Sequence, residues 1–301
     1  MFTLAHFSDP HIGPLPAARP SELLSKRFLG WLSWKRRRRR EHRREILDAL
    51  AADLLAQAPD HVVVTGDLTN IALPAEFAQA AQWLRRLGDA ERITVVPGNH
   101  DAYVAVPWEQ GLARWSDFMS GDAGEQAKGT GFPFLRRRGP LAIIGLSTAQ
   151  PTPPGSAAGA LGPEQLERLE PALEALGREG AFRCILLHHP PMEGIVSRRK
   201  RLLDAEGFRQ VLARTGAELV LHGHDHDFHA TELNGPRGAI PVVGVPSASA
   251  RGGGHRPAAH YHLYGIERRD GAWRIDLRVR GLPPGATDLA ETQSRCLEVP
   301  A

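Results

Sequence analysis

Aspartate, asparagine and histidine recur in this chain as short clusters beside glycine or proline. They are Ser8-Asp9-Pro10-His11, Gly66-Asp67, Gly98-Asn99-His100-Asp101, His188-His189-Pro190 and Gly223-His224-Asp225-His226. Carboxylate and amide oxygens mixed with imidazole nitrogens suit Mn, Fe, Zn, Co or Ni rather than Ca or Mg alone. Asp9 and His11, one residue apart in a tight turn, can offer an oxygen and a nitrogen to one cation. Asp67 follows a glycine that lets the backbone turn close, and it can bridge two cations through its two oxygens. Asn99 adds a neutral oxygen, and His188, His224 and His226 add nitrogens. The set suffices for two ions, and paired cations are a device for hydrolysing phosphate esters. Each piece alone has a plainer reading: Asp9 or Asp67 as a strand-end cap, Asn99 as a left-handed turn residue, His188 as a core histidine. It is the ordered series that favours metal. The doublet leaves both His188 and His189 open as the ligand.

Something must bring these distant clusters together. Short apolar runs precede them, four of the five directly: Thr3 to Phe7, His61 to Thr65, Ile93 to Val96, Arg183 to Leu187 and Glu218 to Leu221 are the five runs. Short branched runs bounded by turn signals predict strands buried on both faces. Helical spacing lies between them, with Ile46, Leu47, Leu50, Leu54 and Leu55 on one face, Phe77, Ala81, Leu84 and Leu87 on another, and Leu166, Leu169 and Leu173 on a third. Alternating strands and helices predict an α/β fold, whose loops converge beyond the carboxyl ends of its strands. From Ile240 to Val279 three strand patterns follow one another with only turns between, which predicts a second, antiparallel sheet packed on the first. The expected organisation is one domain over 1–280 and a loosely held tail over 281–301.

The 301 residues can bury a full core, and no apolar run is long enough to cross a bilayer. The chain starts without a charged leader or signal stretch, so a cytoplasmic location is expected. Two cysteines, Cys184 and Cys296, make neither a disulfide framework nor a zinc knuckle. The net charge of +3 hides an asymmetry: from Lys26 to Arg44, ten basic residues face Glu41 alone, a local +9 that leaves the rest at −6. This block belongs to a segment over 14–44 that precedes a helix expected from Glu41. Leu24, Phe28 and Trp31 share a side of it, next to Lys35 through Arg40. That composition predicts peripheral contact with an anionic membrane through residues 23–44. The alternatives are apolar packing on the body with solvated arginines, or nucleic-acid contact, which the negative remainder disfavours. A second basic run, Arg198-Arg199-Lys200-Arg201, is a candidate substrate contact for a second phosphate or acidic head group, or else a solvated loop. Gly252 to Arg256 could close over substrate.

The series D-x-H, G-D, G-N-H-D, H-x-P and G-H-x-H resembles the calcineurin-like metallophosphoesterase superfamily, across roughly residues 2–265. The resemblance implies a four-layer α/β/β/α sandwich of two mixed sheets with two transition-metal ions, Mn, Fe or Zn, between them. It implies Asp9, His11 and His226 on one ion, Asn99, His188 and His224 on the other, and Asp67 between. The H-x-P pattern makes His188 the ligand of the doublet. His100 matches a histidine that contacts the phosphate or protonates the leaving group, with Asp101 orienting its ring. The implied activity is in-line attack of a metal-bridging hydroxide on a phosphodiester, as in the bacterial phosphodiesterase branch. A second branch, the UDP-diacylglucosamine hydrolases, would make the substrate a nucleotide-linked lipid pyrophosphate; those enzymes often carry Arg where His100 stands. A non-catalytic scaffold is the alternative of another class.

Overall fold

Runs of valine, isoleucine and leucine make the strands that the spacing predicts, and the order in which they pair differs from the expected one. A computed structural model describes residues 1–122, 131–253, 256–283 and 288–300. The chain enters as β1 (Phe2–Phe7), passes through α1 (Arg27–Ser33), a π-helical turn over Trp34–Arg38 and the short α2 (Arg39–Glu41), and reaches α3 (Arg44–Ala56). Then come β2 (His61–Val64), α4 (Pro74–Leu87), β3 (Ile93–Val95), β4 (Phe134–Arg138) and β5 (Leu141–Gly145). They are followed by α5 (Pro163–Arg178), β6 (Phe182–Leu186), α6 (Ala205–Thr215) and β7 (Leu219–His222). Five strands finish the chain: β8 (His229–Asn234), β9 (Ala239–Gly244), β10 (His260–Arg269), β11 (Ala272–Gly281) and β12 (Ala290–Pro300).

Two six-stranded mixed sheets result, ordered β12-β11-β10-β1-β2-β3 and β4-β5-β6-β7-β9-β8. They face each other: Phe182 of β6 meets Trp273 of β11 edge to face, with ring centroids 5.3 Å apart. Helices α5 and α6 cover the outer face of the second sheet, where Leu169, Leu173, Phe208 and Leu212 pack on Ile185, Val220 and Val242. Helices α3 and α4 bury Leu47, Leu50, Leu54, Phe77 and Leu84 in the core that includes the first sheet. At about 2 kcal/mol per fully buried aliphatic side chain, these layers outweigh the exposed ion pairs on the surface. The architecture is the expected four-layer α/β/β/α sandwich.

The C-terminal strands do not form a sheet of their own. β9 joins the second sheet beside β7, whereas β10 pairs antiparallel with β1, Leu4 opposite Tyr264, and extends the first sheet. Turn signals show where a strand ends but not which edge it joins. The segment after 281 is likewise not a loose tail over its described residues. β12 pairs with β11 from Ala272↔Pro300 to Gly281↔Ala290 and buries Val299. Its sequence alternates weakly because most of its side chains face solvent, as an edge strand allows. Helix α3 begins at Arg44 rather than Glu41, since His42 and Arg43 are extended and Arg43 N–H donates to the Ser249 carbonyl at 2.8 Å. No helix among the described residues is long and apolar enough to cross a membrane.

Candidate metal centre

Both sheets end on one shared edge, and the loops there carry the clusters. After β1 come Asp9 and His11, after β2 Asp67, after β3 Asn99 and His100, after β6 His188, and after β7 His224 and His226. Backbone bonds tie the first two loops together: Asp9 N–H donates to the Gly66 carbonyl at 3.0 Å, His11 N–H to Asp67 at 3.0 Å and Ile12 N–H to Leu68 at 2.9 Å. Asp9, His11, Asp67, His224 and His226 all adopt positive φ, between 38° and 80°. Non-glycine residues rarely do so, and the strain is held by the rigid strands on either side. Two glycines are required by contact rather than conformation. A Cβ on Gly98 would lie 2.2 Å from Asp67 Oδ1, and one on Gly223 would lie 1.9 Å from Ser8 Oγ.

Donor atoms converge in two groups. In the first, His226 Nε2 is 3.1 Å from Asp9 Oδ1 and 3.3 Å from His11 Nε2, while His11 Nε2 is 3.8 Å from Asp67 Oδ2. In the second, Asn99 Oδ1 lies 3.1 Å from His188 Nε2 and 2.8 Å from His224 Nδ1, and those two nitrogens are 3.2 Å apart. Asp67 Oδ2 stands between the groups, 3.5 Å from His188 Nε2. Its other oxygen accepts the His100 N–H at 2.7 Å. Oδ2 therefore faces both groups, while Oδ1 also holds the β3 loop. Three of the four imidazoles are oriented from behind, with His11 Nδ1–H on the Thr69 carbonyl at 3.1 Å and His188 Nδ1–H on Thr65 at 2.6 Å. His224 Nε2–H likewise donates to the Lys200 carbonyl at 2.9 Å. These back bonds turn the second nitrogen of each ring into its group, where that of His188 holds a proton toward Asp67 or a cation in its place, and buried Asp9 Oδ1 has no hydrogen-bond donor. Acceptors gathered this way repel unless a cation lies among them; the set fits a binuclear metal site.

His189 is not part of either group. Its Nδ1 meets Thr148 Oγ1 at 2.7 Å and its Nε2 the Ala157 carbonyl at 3.0 Å, so both nitrogens are used. Asp225, between the two histidines of its motif, pairs with His229. Asp101 does not orient the His100 ring. Its carboxylate accepts N–H groups of Gly98 at 2.9 Å, Thr69 at 2.9 Å and Leu68 at 3.3 Å, stitching the β3 loop to the β2 loop. Burial first, then the charge of Asp67, pushes its carboxyl up to about 7. The His100 ring is held instead by Nδ1–H on the Asn70 carbonyl. Burial, and then Arg38, lower the His100 imidazole to about 3, so it is neutral. His188 moves the other way. Burial opposes its charge, but Asp67 and Asp9 outweigh that and raise it to about 9.

Two residues at the centre had no signal in the motifs. Arg38 comes from the basic block. Its Nη1 lies 3.1 Å from both ring nitrogens of His100, and its Nη2 3.0 Å from both of His11. Equal distances to both nitrogens place the guanidinium off the axis of either lone pair, so it consumes neither. His42 lies against His11, centroids 4.4 Å apart, and its ligand atom falls within 4.8 Å of those of His11 and His226. Of the candidate substrate loop, only Lys200 lines the cavity over the metal groups. Arg198 and Arg201 line a separate groove with Met192 and Leu203, so the run does not act as one cluster.

Fold and site together define a dimetal phosphoesterase. The sequence matches the calcineurin-like phosphoesterase family over residues 2–228, and the chain belongs to that family. It is 28% identical, over 76% of its length and 80% of the relative's, to a probable cyclic nucleotide phosphodiesterase of Synechococcus. Its fold is similar to that of a dimetal phosphatase from Danio rerio, with a TM-score of 0.63 at 13% identity, covering 99% of this chain and 98% of the other. A purple acid phosphatase from yellow lupin, Lupinus luteus, gives 0.60 at 13% identity over 98% of this chain and 53% of its own. The chain is a metal-dependent phosphoric ester hydrolase.

Proposed function

We propose that the protein is a phosphodiesterase in which Asp9, His11 and His226 hold one metal ion, Asn99, His188 and His224 hold a second, and Asp67 Oδ2 lies between them. The observation that carries this reading is the convergence of carboxylate, amide and imidazole donor atoms in two groups joined by one carboxylate oxygen. Bound transition-metal ions supply Lewis-acid stabilisation of phosphoryl charge and a nucleophilic water at neutral pH. The residues of the chain do the rest. Asp101 and the Gly98 turn fix the height of Asn99 and His100 above the sheet. Arg38 donates to a non-bridging oxygen of the phosphate, where its charge offsets what builds up during in-line attack. His100 is neutral, with its Nε2 lone pair available beside Arg38. Once the anionic phosphate counters the Arg38 charge, the ring takes a proton from water on Nε2 and passes it to the departing alkoxide oxygen. The preference for a diester is supported by the similarity to a probable cyclic nucleotide phosphodiesterase.

The test is metal analysis joined to kinetics. The metal-loaded protein should hold close to two transition-metal ions and hydrolyse bis(p-nitrophenyl) phosphate faster than p-nitrophenyl phosphate. Asp67→Asn should remove the activity. A metal-loaded protein that prefers the monoester would overturn the diesterase reading. Contact with an anionic membrane through residues 23–44 is favoured by one further observation: Leu24, Phe28 and Leu29 are half to almost fully exposed on α1 and the turn before it. Flotation with phosphatidylglycerol vesicles should then weaken when the three are changed to Ser; flotation that is unaltered removes the proposal.

A further inference from the structure

Most of the basic block is exposed, and part of it lines a cavity. Beside the metal centre lies a second cavity of roughly 270 Å³, and its walls include Arg36, Arg37 and Arg40 from one segment and Arg251 and Arg256 from the loop after β9. His42 and His226 form part of the wall of both this cavity and the one over the metals, so the two are contiguous. Among the described residues Glu41 is the one carboxylate in the lining, and it is already shared, 3.4 Å from Arg37 Nε and 3.4 Å from Arg256 Nη1. Among the described residues, the side chains of Arg36, Arg40 and Arg251 make no hydrogen bond or ion pair. These guanidinium groups are exposed, so solvent screens much of their repulsion, and a bound anion would offset the remainder. Backbone bonds nevertheless hold the two sources of arginine together. Arg251 N–H donates to the Glu41 carbonyl at 2.8 Å, and His42 bridges to Ala250. The gathering is thus a product of the fold rather than of flexible side chains meeting by chance.

We propose that this arginine-lined cavity is a subsite for a second phosphoryl group of the same substrate, held while the first phosphate is at the metals. Guanidinium groups in planar forks match phosphate oxygens, and five of them around one acidic residue select for a multiply charged anion over a neutral group. Sharing His42 and His226 with the metal centre puts the bound anion within reach of the reacting phosphate in one small molecule. The inference rests on the diesterase reading for the identity of the reacting group, but it makes a separate demand on the substrate.

The experiment uses the metal-loaded full chain and two chromogenic diesters, the 5′-(p-nitrophenyl phosphate) of thymidine with and without a 3′-phosphate. The expected kcat/KM ratio favours the 3′-phosphorylated compound by about tenfold, as charge-assisted contacts of this kind allow. The ratio should collapse in the Arg36→Gln/Arg40→Gln/Arg251→Gln variant. Calorimetric binding of adenosine 3′,5′-bisphosphate against adenosine 5′-monophosphate gives the same ratio without turnover. If neither diester is hydrolysed yet the bisphosphate binds more tightly and the variant loses that preference, the subsite stands and the diesterase reading falls. Equal binding of the two nucleotides by the wild-type protein overturns the subsite, whether or not diesters are cleaved. Loss of vesicle flotation in the triple variant, with no bisphosphate preference in the wild type, assigns the arginines to a membrane and also overturns it.

Discussion

The loops at the strand ends and the inserted helical segment both reach the metal centre, and they do so by different physical means. The loops carrying Asp9, Asp67, Asn99, His188 and His224 are short, follow buried strands directly and are pinned to each other by backbone bonds. Their side chains have no freedom to be elsewhere. The segment from α1 to α2 reaches His11 and His100 through one long side chain, Arg38, from a π-helical turn that alters the register of the helix, while Ser33, Arg37 and Glu41 line the cavity above. Trp34 beneath it is buried, and Arg27 is tied by Nε and Nη2 to the carbonyls of Ile71 and Ala72, so the segment is anchored on the body at both places. The contrast teaches that a rigid frame can hold metal ligands while a more variable appendage chooses what the ligands act upon.

Three changes would break or sharpen this contrast. The largest effect belongs to the frame. Gly98→Ala drives a methyl group into Asp67, so the protein should lose metal, and activity should drop by about a thousandfold or more, since the whole electrostatic apparatus goes with it. Elemental analysis beside kinetics on the diester checks this. Next comes Arg38→Ala, which should leave metal content intact and lower kcat by about a hundredfold, the scale of one lost donor to a developing charge, with partial rescue by Lys. Metal loss in that variant would show that appendage and frame are not separable.

The smallest effect is on stability within the frame. Burial, then the charges of Arg138 and Arg136, lower His61 to about 3, and the ring is neutral with Nε2 on Thr94 Oγ1 at 2.7 Å. Its unfolded counterpart titrates near 6.5. Below that pH the unfolded chain binds the extra proton, so stability is full above about 6.5 and is lost as pH falls towards 3. Urea unfolding should show a slope of at most about 1.4 kcal/mol per pH unit from this residue, and His61→Gln should remove it.

Much of the centre was legible because metal ligands must follow strands and glycines must allow close approach, and both leave marks in a linear chain. The H-x-P pattern distinguished His188 from its neighbour, and the structure gives His189 two hydrogen-bonding partners elsewhere. Roles that depend on what stands opposite were not legible. Asp101 looked like a partner for the adjacent His100, but its oxygens face backbone N–H groups from the β2 loop. Asp67 looked like a carboxylate with two equivalent oxygens, yet one is taken by a backbone donor. The run from Arg198 to Arg201 read as one unit, and its members face different cavities.

By itself the sequence determined the chemistry on offer: which side chains could bind metal, in what order they arrive, and that strands would present them along one edge. Donor type and the turn residues beside it are local properties. Tertiary structure decided which strand ends meet, that β10 rather than a separate sheet flanks β1, and which one of six consecutive basic residues touches His11 and His100. Five like neighbours on a helix are equivalent until packing of Trp34 and the register of the turn fix one direction for each. The same packing gathers arginines from two distant segments behind His42 and His226, a proximity set by pairing energies across the fold rather than by anything written in either segment.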